Sequence, residues 1–251
     1  MIRRLNLPGI LFLVALAGLW QIAAFLAHSP TFPGFAAVVG ALVVDRGELF
    51  GELGHTLLRA GAGFALALFT MLPLGILLGR VRALGDVVEP IIELVRPLPP
   101  IAVIPVSMIF LGIGDAAKIA VVAYGASFPI LINAIDSVRS LDPMLSHVAR
   151  SLRLNRAERM RLVDLPAALP RIVAGIRLSI AISLLLAVVA EMLLSTDGLG
   201  AFLMRAQESF RIAHVLAALL LIVLVALIVN LATHAVERKA LTWHHARGGV
   251  R

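Results

Sequence analysis

Few side chains in this sequence have the type and spacing to do bond chemistry. It has no cysteine, which excludes a thiolate nucleophile, a thiolate metal site and a disulfide scaffold. Neither of its two lysines, Lys118 and Lys239, completes a phosphate loop of the G-x-x-x-x-G-K-[ST] type, so any nucleotide must be held by another chain. Ser127 follows Gly125-Ala126 but lacks the second glycine of a nucleophile elbow. His244-His245 lacks the glutamate and the spacing of a zinc helix. The remaining candidates are two charges inside an apolar run, Arg177 and Glu191. They are fourteen residues apart, about 21 Å along a helix, and cannot pair with each other. Each lies one to two turns from an end of its run, where a long side chain snorkels to water. They read as structural or gating residues.

The elements around these residues follow from composition. The chain has 251 residues, is 60% hydrophobic and 15% charged, and has a mean hydropathy of +0.99. A soluble domain is about 45–50% apolar and about 25% charged, so much of this chain faces lipid. Six apolar runs stand out: Pro8–Ala27, Ala60–Gly79, Pro97–Gly114, Ile119–Ile135, Ile172–Leu194 and Val215–Thr233. Strand alternation is absent and open sheet edges are forbidden in lipid, so the expected fold is an all-α integral membrane protein with six transmembrane helices. The first run is twenty residues long and has no good cleavage pair, so it reads as a retained helix rather than a signal peptide.

The net charge is +7, and its distribution gives a direction. With the N-terminus cytoplasmic, Arg3, Arg4, Arg80, Arg82, Arg96, Arg139, Arg150, Arg153, Arg156, Arg159, Arg161, Arg171, Arg238, Lys239, Arg247 and Arg251 lie inside. Arg46, Arg59, Lys118, Arg205 and Arg211 lie outside or at a boundary. Both termini are then expected in the cytoplasm. The arginines track loops rather than a soluble face, which argues against nucleic-acid binding.

One long cytoplasmic segment, Asp136–Arg171, is organised. Asp142-Pro143 is a helix start: the carboxylate caps free amides, and proline at the first position forfeits no hydrogen bond. Met144, Leu145, Val148, Ala149 and Leu152 then share one face, opposite Ser146, Arg150, Ser151 and Arg153. Asn155 and Glu158 form a capping box that predicts a second short helix from Arg156, with Met160, Val163 and Leu165 on its apolar side and Pro166 as its stop. Such a pair suits either an interfacial helix pair on anionic lipid or a docking element for a cytoplasmic partner. In the third run, Pro99, Pro100 and Pro105 interrupt the helix and free carbonyls, which suits either a lined pathway at Ile101–Ser107 or a packing kink. Gly75 and Gly79 form a GxxxG, for packing within one subunit or between two.

The run Arg96-Pro97-Leu98-Pro99-Pro100-Ile101-Ala102-Val103-Ile104-Pro105, followed by Phe110-Leu111-Gly112-Ile113-Gly114, resembles the permease subunit of binding-protein-dependent ABC importers, in the nitrate/sulfonate/taurine branch. Phe128-Pro129-Ile130-Leu131, Ser137-Val138-Arg139-Ser140-Leu141-Asp142, Leu165-Pro166-Ala167-Ala168-Leu169-Pro170, Gly175-Ile176-Arg177, Val189-Ala190-Glu191-Met192 and Gly198-Leu199-Gly200 follow in the expected order. The likeness runs from His55 to Glu237. It implies a permease domain over 55–237 with a cytoplasmic coupling loop at 140–170 between helices 4 and 5. Residues 1–54 would be the N-terminal tip, first helix and periplasmic segment, and 238–251 a basic tail.

Laid on the family's EAA pattern, His147, Val148 and Ala149 occupy the Glu-Ala-Ala positions, Arg153 the glycine, and Val163, Leu165 and Pro166 the Ile-x-Leu-Pro. The acid and the glycine are lost. Arginine at the glycine position carries a Cβ that costs energy at positive φ. The resemblance implies no catalysis and no cofactor, with ATP bound by two cytoplasmic ATP-binding subunits. The other implied partners are a second permease subunit in a homodimer and a periplasmic or lipid-anchored substrate-binding protein. It also implies the bacterial inner membrane and a small solute such as an alkanesulfonate, taurine or nitrate, with a heterocyclic vitamin precursor as the second class. A carrier or channel needing no ATPase is the alternative; inverted repeats would favour it, and none is seen.

Overall fold

The computed structural model describes residues 7–29 and 31–240; Arg3, Arg4, His244-His245 and the tail from 241 lie outside the described residues. Among the described residues no strand forms. The helices are α1 (Leu7–Ala27), α2 (Phe35–Val44), α3 (Arg46–Arg80), α4 (Arg82–Val95), α5 (Ile104–Leu111), α6 (Asp115–Arg139), α7 (Pro143–Ser151), α8 (Arg156–Arg159), α9 (Leu165–Leu194), α10 (Leu199–Glu208) and α11 (Ile212–Ala240).

Among the described residues, four helices are long and apolar enough to cross a membrane: α3, α6, α11, and the continuous stretch Ala157–Leu194 containing α9. A fifth crossing results if α4 and the Pro100–Leu111 segment, bent by 90°, count as one. The run expected over Pro8–Ala27 coincides with α1, but its apolar stretch Leu11–Ala27 belongs with the shorter apolar helices. Helices α3, α6 and α11 extend beyond their apolar runs at both ends and α9 at its start, because a helix continues into its polar flanks where hydropathy falls.

The interruption expected within Pro97–Gly114 is present, but not at all three prolines. Pro99 is extended, Pro100–Val103 is a short 3₁₀ turn, and α5 is only eight residues long. The break thus falls at Pro99 and Pro100, whereas Pro105 sits in the first turn of α5, where a missing N–H forfeits nothing. The Tyr124 hydroxyl donates to the Val95 carbonyl at 2.9 Å, satisfying an acceptor near the break. Pro166 likewise does not stop its helix. The chain passes from α8 through a π-helical stretch, Met160–Asp164, straight into α9. A proline clashes with the carbonyl four residues back; the wider π turn just before Pro166 re-registers the ladder, so the helix carries on.

Helix α6 is the centre of the bundle, packed between α3 and α9. The approach to α3 is close because α3 presents glycines. A Cβ at Gly75 would lie 2.6 Å from Ala134 Cβ and 2.8 Å from the Leu131 carbonyl oxygen, and one at Gly79 would lie 2.8 Å from Val138 Cβ. The Gly75–Gly79 pair therefore packs within the subunit, against α6. A core of Leu49, Val122, Leu186, Leu199, Phe202 and Leu221 joins α3, α6, α9, α10 and α11. The outer faces of α1 and α11 remain apolar, as lipid requires.

Candidate functional site

Chemistry-bearing side chains gather at two opposite ends of the bundle. At one end, the start of α6 and the end of α9 meet α3 and the α9–α10 turn. Glu191, one turn from the end of α9, is fully buried, and Arg59 of α3 is 1% exposed. Arg59 Nη1 donates to Glu191 Oε1 at 2.8 Å, Arg59 Nη2 to Asp197 Oδ1 at 2.8 Å, and Arg59 Nε to Asp115 Oδ1 at 2.8 Å. The second oxygen of Glu191 accepts from Thr56 Oγ1 at 2.8 Å and from the Gly200 amide at 3.2 Å. Lys118 Nζ donates to Ser195 Oγ at 2.9 Å and to Asp115 Oδ1 at 3.3 Å. The snorkelling expected of Glu191 does not occur. Its carboxylate is saturated from inside the protein, so reaching for water would forfeit a guanidinium and two further donors.

Local sequence explains how the turn closes over this carboxylate. Gly198 has φ +97, and a Cβ there would lie 2.2 Å from the Glu191 carboxyl carbon. Only glycine allows both the left-handed backbone and the close approach. Its amide donates to Glu52 Oε2, tying the turn to α3 as well. In this turn, the Ser195 hydroxyl, at 2.5 Å, is the main influence holding the Asp197 carboxyl down at about 2; the Arg59 guanidinium adds to it against the opposing effect of burial.

Sequence reading singled out Glu191 but missed its partners Arg59 and Thr56, and Asp115, Lys118 and Asp197 beyond them in the network. The available signal was four charges at the edges of three different apolar runs, on one side of the membrane. Arg177 lies away from this group. It is partly exposed, donates to Glu237 Oε2 and Asn230 Oδ1 at 3.3 Å each, and so ties α9 to α11.

At the other end stand α7 and α8. Asp142 caps α7, its Oδ1 accepting from the Met144 amide at 2.8 Å, and the helix begins at Pro143 as expected. Asn155 and Glu158 form a reciprocal capping box: the Asn155 amide donates to Glu158 Oε2 at 2.8 Å and the Glu158 amide to Asn155 Oδ1 at 2.9 Å. Between the two helices Arg153 takes φ +51. The Arg153 amide donates to the Arg150 carbonyl and the Leu154 amide to the Ala149 carbonyl, which makes a Schellman cap with arginine in the left-handed position. The tight turn survives the loss of glycine.

The expected apolar face of α7 divides. Ala149 is buried and Leu145 half-buried, whereas Met144, Val148 and Leu152 stand outward, 68%, 45% and 65% exposed. They recur every fourth residue and form one stripe. His147 is exposed, and Val163, Leu165 and Pro166 lie where the π stretch enters α9. Asp164 anchors this segment to the bundle, accepting from Arg80 of α3 and Arg159 of α8 at 3.3 Å each. The structure therefore brings Asp142 through Pro166 together at one end and Glu191 into a network at the other. Pro99 and Pro100 lie apart from both, at the bend before α5, and Pro105 in the first turn of α5.

Comparison with known proteins gives the family and the fold. Residues 71–242 match the family described as the binding-protein-dependent transport system inner membrane component. The chain is 32% identical over 247 residues to the putative aliphatic sulfonates transport permease protein SsuC of Bacillus subtilis, covering 97% of this chain and 90% of that one. It is 31% identical over 233 residues to the taurine transport system permease protein TauC of Escherichia coli, covering 90% and 85%. Among solved structures, a chain of the MetNI methionine ABC transporter in an inward-facing conformation superposes with a TM-score of 0.66 at 21% identity, covering 78% of this chain and 97% of that one, a likeness of fold. An all-helical bundle with this family match and these relatives belongs to the inner membrane components of binding-protein-dependent transport systems, the permease subunits of ABC importers.

Proposed function

We propose that the chain forms the translocation path for a small oxyanion such as an alkanesulfonate, taurine or nitrate. Two copies would pair in the inner membrane, each with six crossings and with both termini in the cytoplasm. A binding protein delivers the solute from outside, and two separate subunits bind ATP; the chain itself carries no cofactor. The solute class rests on what SsuC and TauC are named for.

The observation that carries the reading is the outward stripe of Met144, Val148 and Leu152 on α7. A helix whose apolar residues face away from its own bundle is a surface for a partner, and in this family's arrangement that partner is an ATPase. The coupling loop comprises Asp142, Pro143, Leu145, His147, Val148, Ala149, Arg153, Val163, Leu165 and Pro166. Its motion passes into α9 without a break in the helix. Gating falls to Arg177 and to the Glu191 network, and the backbone broken at Pro99 and Pro100, with Pro105 just beyond it, lines the path. A transporter of this kind needs two access states whose balance is shifted from each face.

The test is reconstitution with a cytoplasmic ATPase and candidate binding proteins, scored by ligand-stimulated hydrolysis. Replacing Val148 or Leu145 by Asp puts a charge on the docking helix; the variant should insert normally and lose the copurifying ATPase. An undiminished ATPase in that variant counts against docking. Full-rate solute flux through the chain alone, without nucleotide, ends the ATP-driven reading.

A further inference from the structure

Helix α4 climbs along α6. At one end of α6, Arg139 Nη1 donates to Glu89 at 2.8 Å and Arg139 Nη2 stands 3.7 Å from Asp86. Farther along, the Tyr124 hydroxyl donates to the Val95 carbonyl at 2.9 Å and lies 3.4 Å from that of Leu98. A Cβ at Gly125 would lie 3.3 Å from Pro100 Cγ. Arg96 sits among these anchors, level with Tyr124. At about 1.5 Å per residue, that level is about 13 Å from the Asp115 end of α6 and about 22 Å from the Arg139 end. Helix α6 is itself long and apolar enough to cross a membrane, so Arg96, and Glu93 one turn before it, fall within a hydrocarbon depth of about 30 Å. Arg96 therefore does not share the loop position expected of the arginines.

Both side chains are exposed, and neither has a partner among the described residues. Arg96 follows the last residue of α4 and still has helical backbone, φ -55 and ψ -41, so the two are neighbours on one helix surface, yet no bridge joins them. On the inner side of α4, Val88 and Ile92 pack onto Leu78, Leu131 and Ile135. Val87, Ile91 and Leu94 stand outward. A bare charge at this depth is too costly to face lipid. A passing solute would leave both charges bare whenever the path is empty. One acid and one base side by side make a surface that is its own complement about a two-fold axis. Glu93 of each copy then meets Arg96 of the other, and the outward apolar residues seal the contact. The offset between the two positions, about 4.5 Å along the helix, is one that a long arginine stem spans.

We propose that this face of α4 is the contact with a second copy of the chain, held by two reciprocal Glu93–Arg96 ion pairs. The contact rests on the two-copy assembly proposed above. Its apolar residues supply adhesion, and the ion pairs fix the register in which the copies meet.

The chain has no cysteine, so a single Leu94→Cys substitution reports on this face alone. Expressed in membranes without transport partners, the full-length variant should form a covalent dimer with a short bis-maleimide. A cysteine that instead takes a membrane-impermeant maleimide and gives no dimer lies on a wetted wall and overturns the proposal, as does one that takes neither reagent. In a second measurement, two differently tagged copies are expressed together and one is captured through its tag. Glu93→Arg on both copies, or Arg96→Glu on both, sets like charges face to face and should lower capture of the other copy by about tenfold or more. Glu93→Arg on one copy with Arg96→Glu on the other should restore capture, a rescue that pairing within one chain cannot give. Unchanged capture in the like-charged pairs, or no rescue in the mixed pair, overturns the contact. The wild-type chain tells the two failures apart. If its tagged copies capture each other while the variants behave alike, two copies assemble through another surface. If they never capture each other, the two-copy assembly itself falls, and this contact with it.

Discussion

At Arg153 a left-handed backbone is held by a residue ill suited to it. A side chain at φ +51 is disfavoured by about 1–2 kcal/mol relative to the right-handed helix, and glycine escapes most of that cost while losing more freedom on folding. Arg153→Gly should therefore stabilise the α7–α8 turn by up to about 1 kcal/mol. Hydrogen exchange at the Arg153 and Leu154 amides, which close the Schellman cap, would show slower exchange in the variant. Faster exchange would mean that the guanidinium supplies a contact worth more than the strain. At this scale the sequence was readable wherever chemistry is local. Asp142, Pro143, Asn155 and Glu158 announced their caps because each partner lies two or three residues away. Glu191 was visible as a charge in an apolar run, but its partners come from 132 and 135 residues earlier, and no local pattern marks such a pairing.

Between elements, the decisive contact is α3 on α6. It depends on Gly75 and Gly79, where the facing atoms leave no room for a side chain. Gly75→Val drives a branched side chain into Ala134 and the Leu131 carbonyl, and overpacking of this kind costs about 1–3 kcal/mol. Thermal unfolding in detergent should show the loss, while Gly61→Val, at a position with nothing within 4 Å, should leave the midpoint nearly unchanged. Apolar runs located the long helices and the GxxxG, but not which helix the glycines would meet, since a small-residue motif states a distance of approach and not a partner. The stretch through Pro166 was misjudged for a related reason. Proline is read as a stop from local rules, whereas a π turn upstream reconciles it with a helix stabilised along its length by tertiary packing.

For the molecule as a whole, the network around Glu191 is a clasp joining α3, α6 and α9 to the turn before α10. Removing Glu191 leaves the buried Thr56 hydroxyl and one nitrogen of the buried Arg59 guanidinium without their carboxylate, while Arg59 keeps Asp115 and Asp197. Glu191→Ala should destabilise the protein by about 3–5 kcal/mol, and Glu191→Gln, which keeps two hydrogen bonds within reach, by less. Matched unfolding curves in detergent would check the order; equal losses would mean that the loss tracks the charge alone and that the hydrogen bonds kept by Gln contribute nothing. The unbroken helix from Ala157 to Leu194 ends beside this clasp and begins in the segment that follows α7. At 38 residues it is about 57 Å long. A stiff rod of that length behaves as a lever: one tip cannot swing without the other answering, so under the proposed docking role of α7 a tug at that end would reach the opposite end as strain on a single buried carboxylate.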